Sequence, residues 1–109
     1  EPRGWVRAGV AALEGAGSGP ITRFRPPFGV VSPRLVASVR AAGLERVGGS
    51  IRTRDGVSIT EATRTARLRR ARPGDIVLLH DGNPVTANVL PSALAGWAGM
   101  RVGSVAELA

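Results

Sequence analysis

Apolar residues recur along this chain at two spacings. Trp5, Gly9/Val10, Leu13 and Ala16 follow one another at helical intervals, which predicts a helix over Trp5–Ala16 with that row as its apolar stripe. Gly15-Ala-Gly-Ser-Gly-Pro20 stops it. Ile21–Arg25 alternates apolar and polar before Pro26-Pro27, a short strand running into a rigid loop. Ser32-Pro33 is a helix start, an N-cap followed by proline at the first helical position. The predicted helix buries Leu35, Val36, Val39 and Ala42, and Gly43 ends it.

Leu44–Arg52 reads as a weaker strand interrupted by Gly48-Gly49. Thr60 caps a third helix through Arg72, which Pro73-Gly74 breaks. Asp75 opens the strongest strand, Ile76–Leu79, whose unalternating apolar run suits a parallel strand covered on both faces. A helix around Pro91–Ala98, a strand around Met100–Val102 and a turn at Val105–Leu108 complete the pattern.

Helix and strand alternate throughout, which predicts parallel strands joined by helical crossovers and an α/β fold. A full (β/α) barrel takes about 250 residues. A chain of 109 residues therefore matches about half of a partial or distorted barrel, one segment of a larger domain. Residues 1–20 form the helix and loop that lead into its first notable motif.

Composition narrows the classes. The hydrophobic fraction of 43% suits a folded domain. No apolar run reaches the roughly 18 residues of a membrane span, and Glu1-Pro2-Arg3-Gly4 leads into no signal-peptide core. The absence of cysteine excludes disulfides, thiolate zinc sites and a cysteine nucleophile. All 15 basic residues are arginine, so much of the net charge of +7 reflects the codon bias of a GC-rich genome. Such a charge could still draw the chain to nucleic acid or anionic polymers. The arginines of Arg64–Arg72 are scattered around their helix, however, and four aromatic residues are few for a base-stacking platform, so nucleic acid is not the expected partner.

In parallel α/β folds ligands bind beyond the carboxyl ends of the strands. Three segments fall there: Arg25-Pro-Pro-Phe-Gly29, Arg52-Thr-Arg-Asp55-Gly56 and His80-Asp81-Gly82. His80 is the single histidine of the chain. A lone histidine is usually structural, but a place at a strand end beside aspartates favours proton transfer. Asp55 alone would be turn chemistry, and Arg25 one arginine among many. In RPPFG the two prolines leave the amides of Phe28 and Gly29 as the free donors, able to face a developing oxyanion. No HExxH, histidine pair, GxSxG elbow or P-loop occurs, so the sequence offers no metal ligand set of its own.

FRPPFG, an Arg-Asp-Gly turn and ARPGDIVLLHDG together resemble the later motifs of the polysaccharide deacetylase family, also called the NodB homology domain and carbohydrate esterase family 4. The resemblance runs from about Phe24 to the chain end. It implies a distorted, incomplete (β/α) barrel that hydrolyses N-acetyl groups of amino-sugar polymers, chitin, chitooligosaccharides or peptidoglycan, with zinc or another divalent metal. By position, Arg25 resembles the arginine that orients a catalytic aspartate, and the Phe28 amide, beside Gly29, the donor to the oxyanion. Asp55 resembles the aspartate that tunes the catalytic histidine, Leu78 the wall against the acetyl methyl, and His80 the general acid. Water attack on an acetamide builds charge on oxygen, and the poor leaving amine needs a proton, so these roles are chemically coherent.

Two departures qualify the resemblance. Gly56 stands where many members have tryptophan. The family's Thr-Phe-Asp-Asp and His-x-x-x-His motifs, which carry the base and metal ligands, do not occur in this sequence. The expectation is therefore the C-terminal half of a deacetylase domain, inactive alone and binding no metal tightly, whose N-terminal half is its partner. The family's usual place is extracellular or at the cell envelope. The rival readings are a non-catalytic basic module for an anionic polymer or nucleic acid, and a degenerate deacetylase-like domain.

Overall fold

The structure, a computed structural model, describes residues 2–53 and 59–108. It divides into two compact units, Glu1–Gly48 and Gly49–Ala109.

In the first unit, helix α1 (Pro2–Gly15) precedes strand β1 (Arg23–Phe24), a 3-10 turn (Pro27–Gly29), helix α2 (Pro33–Ala41) and strand β2 (Glu45–Arg46). The chain returns from α1 through the glycine-rich loop, which is closed where the Ile21 N–H donates to Glu14 Oε1 at 2.9 Å. β1 and β2 pair in parallel, Arg23 with Glu45 and Phe24 with Arg46. Ser32 caps α2 by accepting the Leu35 N–H, and Gly43 follows it with a φ of 71°, the left-handed conformation glycine permits.

The core of this unit is Val6, Val39 and Leu44, with Val10, Ile21, Phe24, Leu35 and Ala42 packed against it. This corrects the predicted stripe of α1. Val6 and Val10, one turn apart, face α2, whereas Trp5 is 75% and Leu13 53% exposed. Two apolar rows run side by side along this helix, and the packing partner selects between them.

In the second unit, strand β3 (Ile51–Arg52) leads to helix α3 (Glu61–Leu68), strand β4 (Val77–Leu78), helix α4 (Pro84–Gly96) and a closing 3-10 turn (Val105–Leu108). β3 and β4 are parallel, Ile51 beside Val77 and Arg52 beside Leu78. The predicted strand Leu44–Arg52 is thus two strands in two sheets, and the break falls at Gly48-Gly49. Thr60 caps α3 as predicted, accepting the Thr63 N–H, but α3 ends at Leu68, short of Arg72.

α4 begins seven residues before the predicted start at Pro91, because Asn83 caps it through the Val85 N–H and Pro84 takes the first turn. Pro91 sits inside the helix, where it has no N–H to give the Ala87 carbonyl. The predicted strand at Met100–Val102 does not form. That segment is irregular, and the Arg101 guanidinium instead pairs with the Glu107 carboxylate, which also accepts the Ser104 N–H. Leu68, Val89, Ala93 and Trp97 form the core, joined by Val77, Leu79, Val85 and Met100. Among the described residues no helix is long and apolar enough to cross a membrane.

Candidate active site

Each predicted site residue has a definite address, except Asp55, which with Gly56 lies outside the described residues. RPPFG gathers Arg25, Phe28 and Gly29 in one turn of the first unit, directly after β1. Arg25 is exposed and Pro26 buried, so the first proline anchors the turn. Phe28 follows with a φ of 55°, the one non-glycine residue at positive φ among those described, and its ring is fully exposed. A bulky residue in that conformation costs about 1–3 kcal/mol, a strain that concentrates at functional sites.

The turn also corrects the expectation that two amides stay free. The Gly29 N–H donates to the Pro26 carbonyl at 3.1 Å and the Val30 N–H to that of Pro27 at 3.1 Å. Among the described residues no acceptor meets the Phe28 N–H. Of the two amides, only Phe28's remains to serve a substrate oxygen.

In the second unit β4 carries Leu78, and His80 lies two residues further along the chain. Val77 and Leu79 pack against the core, and alternation sets Leu78 on the opposite face of β4. Ile76–Leu79 is half-buried throughout, less covered within its unit than the unalternating sequence predicts. His80 is exposed, and the Asp81-Gly82 turn ends at a glycine with a φ of 72°. A residue just beyond the carboxyl end of a parallel strand lies where ligands bind in such folds.

At the start of this strand lies a cluster that no motif in the sequence marks. The Ser50 hydroxyl donates to Asp75 Oδ1 at 2.6 Å and accepts the Ile76 N–H at 2.9 Å. Asp75 Oδ2 accepts the Arg72 N–H at 2.8 Å. These hydrogen bonds, from Ser50 first and Arg72 second, hold the Asp75 carboxyl below the usual aspartate range. The signals in the sequence were the Gly-Gly-Ser break and the aspartate opening β4, but their pairing spans 25 residues and no local pattern reports it.

Tetrahedral zinc takes three or four nitrogen, sulfur or oxygen ligands. The chain has one histidine and no cysteine, and no three His, Cys, Asp or Glu side chains cluster among the described residues.

Comparison with known proteins decides the family. No family model matches the chain. A chitooligosaccharide deacetylase of Azorhizobium caulinodans is 37% identical over 86 residues, 74% of this chain and 36% of that protein. The chain belongs to the polysaccharide deacetylase family, carbohydrate esterase family 4. A bifunctional xylanase/xylan deacetylase of Cellvibrio japonicus is 27% identical over 77 residues, 71% of this chain and 12% of that protein.

Two solved structures share the fold of this deacetylase-family chain. A family 4 carbohydrate esterase from Streptomyces lividans, in complex with acetate, aligns with a TM-score of 0.80 and 24% identity over 90% of this chain and 51% of its own. A family 4 pseudoenzyme from Bacillus anthracis aligns with a TM-score of 0.85 and 23% identity over 99% of this chain and 39% of its own. The chain spans about a third of the first curated relative and about half or less of these structures.

Proposed function

We propose that this chain supplies the acid side of the active site of a carbohydrate deacetylase, a hydrolase that removes N-acetyl groups from amino-sugar polymers such as chitooligosaccharides or peptidoglycan. The observation that carries the proposal is His80, exposed just past a parallel strand whose Val77 and the following Leu79 pack against the core. In this reading His80 protonates the leaving amine, and the Phe28 amide donates to the oxyanion of the tetrahedral intermediate. Arg25 orients a catalytic aspartate, Asp55 tunes His80, and Leu78 lines the space for the acetyl methyl.

The base and the divalent metal, zinc in the family's usual chemistry, are assigned to residues outside this sequence. The fold class assigned is accordingly a partial (β/α) barrel, of which these 109 residues form about the C-terminal half. By themselves they are inactive. The site of action is the cell envelope or beyond. A charge-driven binding module gains no support from the family match.

The test is acetate release by the protein at its natural length, with zinc supplied, from N-acetylglucosamine oligomers and in parallel from acetylated xylan. Release from the oligomers is expected. Release from xylan alone would replace the amide substrate by an ester, and release from neither would overturn the proposal. Acetate released by the 109-residue chain alone would contradict its assigned inactivity.

A further inference from the structure

Gly49, Ser50 and Asp75 have no chemical role in the reaction proposed above, yet they grip the strand that carries Leu78 and His80. Ser50 holds Ile76 by both backbone groups: its hydroxyl accepts the Ile76 N–H at 2.9 Å, and its own N–H donates to the Ile76 carbonyl at 2.9 Å. The same hydroxyl donates to Asp75 Oδ1 at 2.6 Å, so the carboxylate fixes the direction in which the hydroxyl proton points. Through Oδ2 the carboxylate also holds the Arg72 N–H at 2.8 Å, tying the strand to the turn before it.

Gly49 sets the depth. A Cβ there would lie 3.0 Å from Leu78 Cβ and 3.5 Å from the Ile76 carbonyl oxygen. Leu78 Cβ is fixed to the backbone and cannot rotate aside, so a side chain at this position would push the segment and β4 apart by a few tenths of an ångström.

The regular β3–β4 ladder is only two residues long on each strand. So short a ladder supplies few backbone hydrogen bonds to hold β4, and a slip of one residue would turn Leu78 to the opposite face. We infer that Gly49, Ser50 and Asp75 form a positioning clamp that sets the face and depth at which β4 presents Leu78 and His80. The clamp acts on the reaction through those two residues without touching substrate. Its catalytic consequence rests on the proposed deacetylation, but its structural consequence does not.

The test compares Ser50→Ala, Asp75→Asn and Ser50→Thr, the last of which keeps the hydroxyl. Acetate release by the natural-length protein gives kcat and KM, while NMR of the 109-residue chain follows the Leu78 methyls and the His80 ring. Ser50→Ala and Asp75→Asn are expected to lower kcat by about tenfold or more, since small misplacements of reacting groups are costly, with little change in KM. Both should shift the Leu78 and His80 resonances, and Ser50→Thr should restore both readouts. Folded variants with wild-type kcat and unshifted resonances would overturn the clamp. Shifted resonances with no wild-type acetate release would sink the deacetylase reading and leave the clamp standing. Should Asp75→Asn fail to fold, the Ser50→Ala and Ser50→Thr pair decides alone.

Discussion

The Trp97 indole N–H donates to the Leu68 carbonyl at 3.1 Å, joining the last turn of α3 to the end of α4. Leu68 is fully buried and Trp97 nearly so, which makes this pair the centre of the second unit. The same carbonyl accepts the Ala71 N–H, so it keeps one partner if the indole is lost. Trp97→Phe should therefore cost only about 1 kcal/mol, whereas Trp97→Ala should cost about 3–5 kcal/mol through the cavity it leaves. Urea unfolding of both variants checks the order, and equal losses would show that the hydrogen bond matters more than the ring.

Gly49→Ala tests the close approach to Leu78 separately from any catalysis. The added methyl meets Leu78 Cβ at 3.0 Å, and one of the two segments must move. Overpacking of this kind costs about 1–3 kcal/mol. Gly48 has no atom near a Cβ built on it, so Gly48→Ala is the matched control and should stay within about 0.5 kcal/mol of wild type.

Acid sensitivity follows from Asp75. Its carboxyl is held below the ordinary value by Ser50 and then by the Arg72 amide. A folded-state value below the unfolded one of about 3.9 means the stabilisation is fully present above roughly pH 4. It is lost as pH falls through the lower folded value. Glu107, held down by Arg101 and the Ser104 amide, acts in the same direction. Chemical denaturation between neutral pH and pH 3 should show Asp75→Asn with a flatter acid limb than wild type, and an unchanged limb would remove Asp75 from the account.

Much of this was legible along the chain because it depends on neighbours in sequence. Ser32-Pro33 and Thr60 are capping signals whose N–H donors lie three residues away, and both caps form. RPPFG and LLHDG identified the family from the residues alone. Asn83-Pro84 carries the same capping grammar, but Pro91 masked it, since an interior proline imitates a helix start. What stayed illegible depends on partners far along the chain. Whether Trp5 or Val6 faces inward is decided by α2, and whether Gly48-Gly49 bends one strand or separates two is decided by β1 and β4. The Gly29 amide is a free donor by composition and an engaged one by geometry, because the turn folds it onto Pro26.

His80 bears the central claim. Acetate release from N-acetylglucosamine oligomers by the natural-length protein should fall by about 10²–10⁴-fold in kcat on His80→Ala, with the fold intact by circular dichroism. Wild-type rates in His80→Ala would contradict the account.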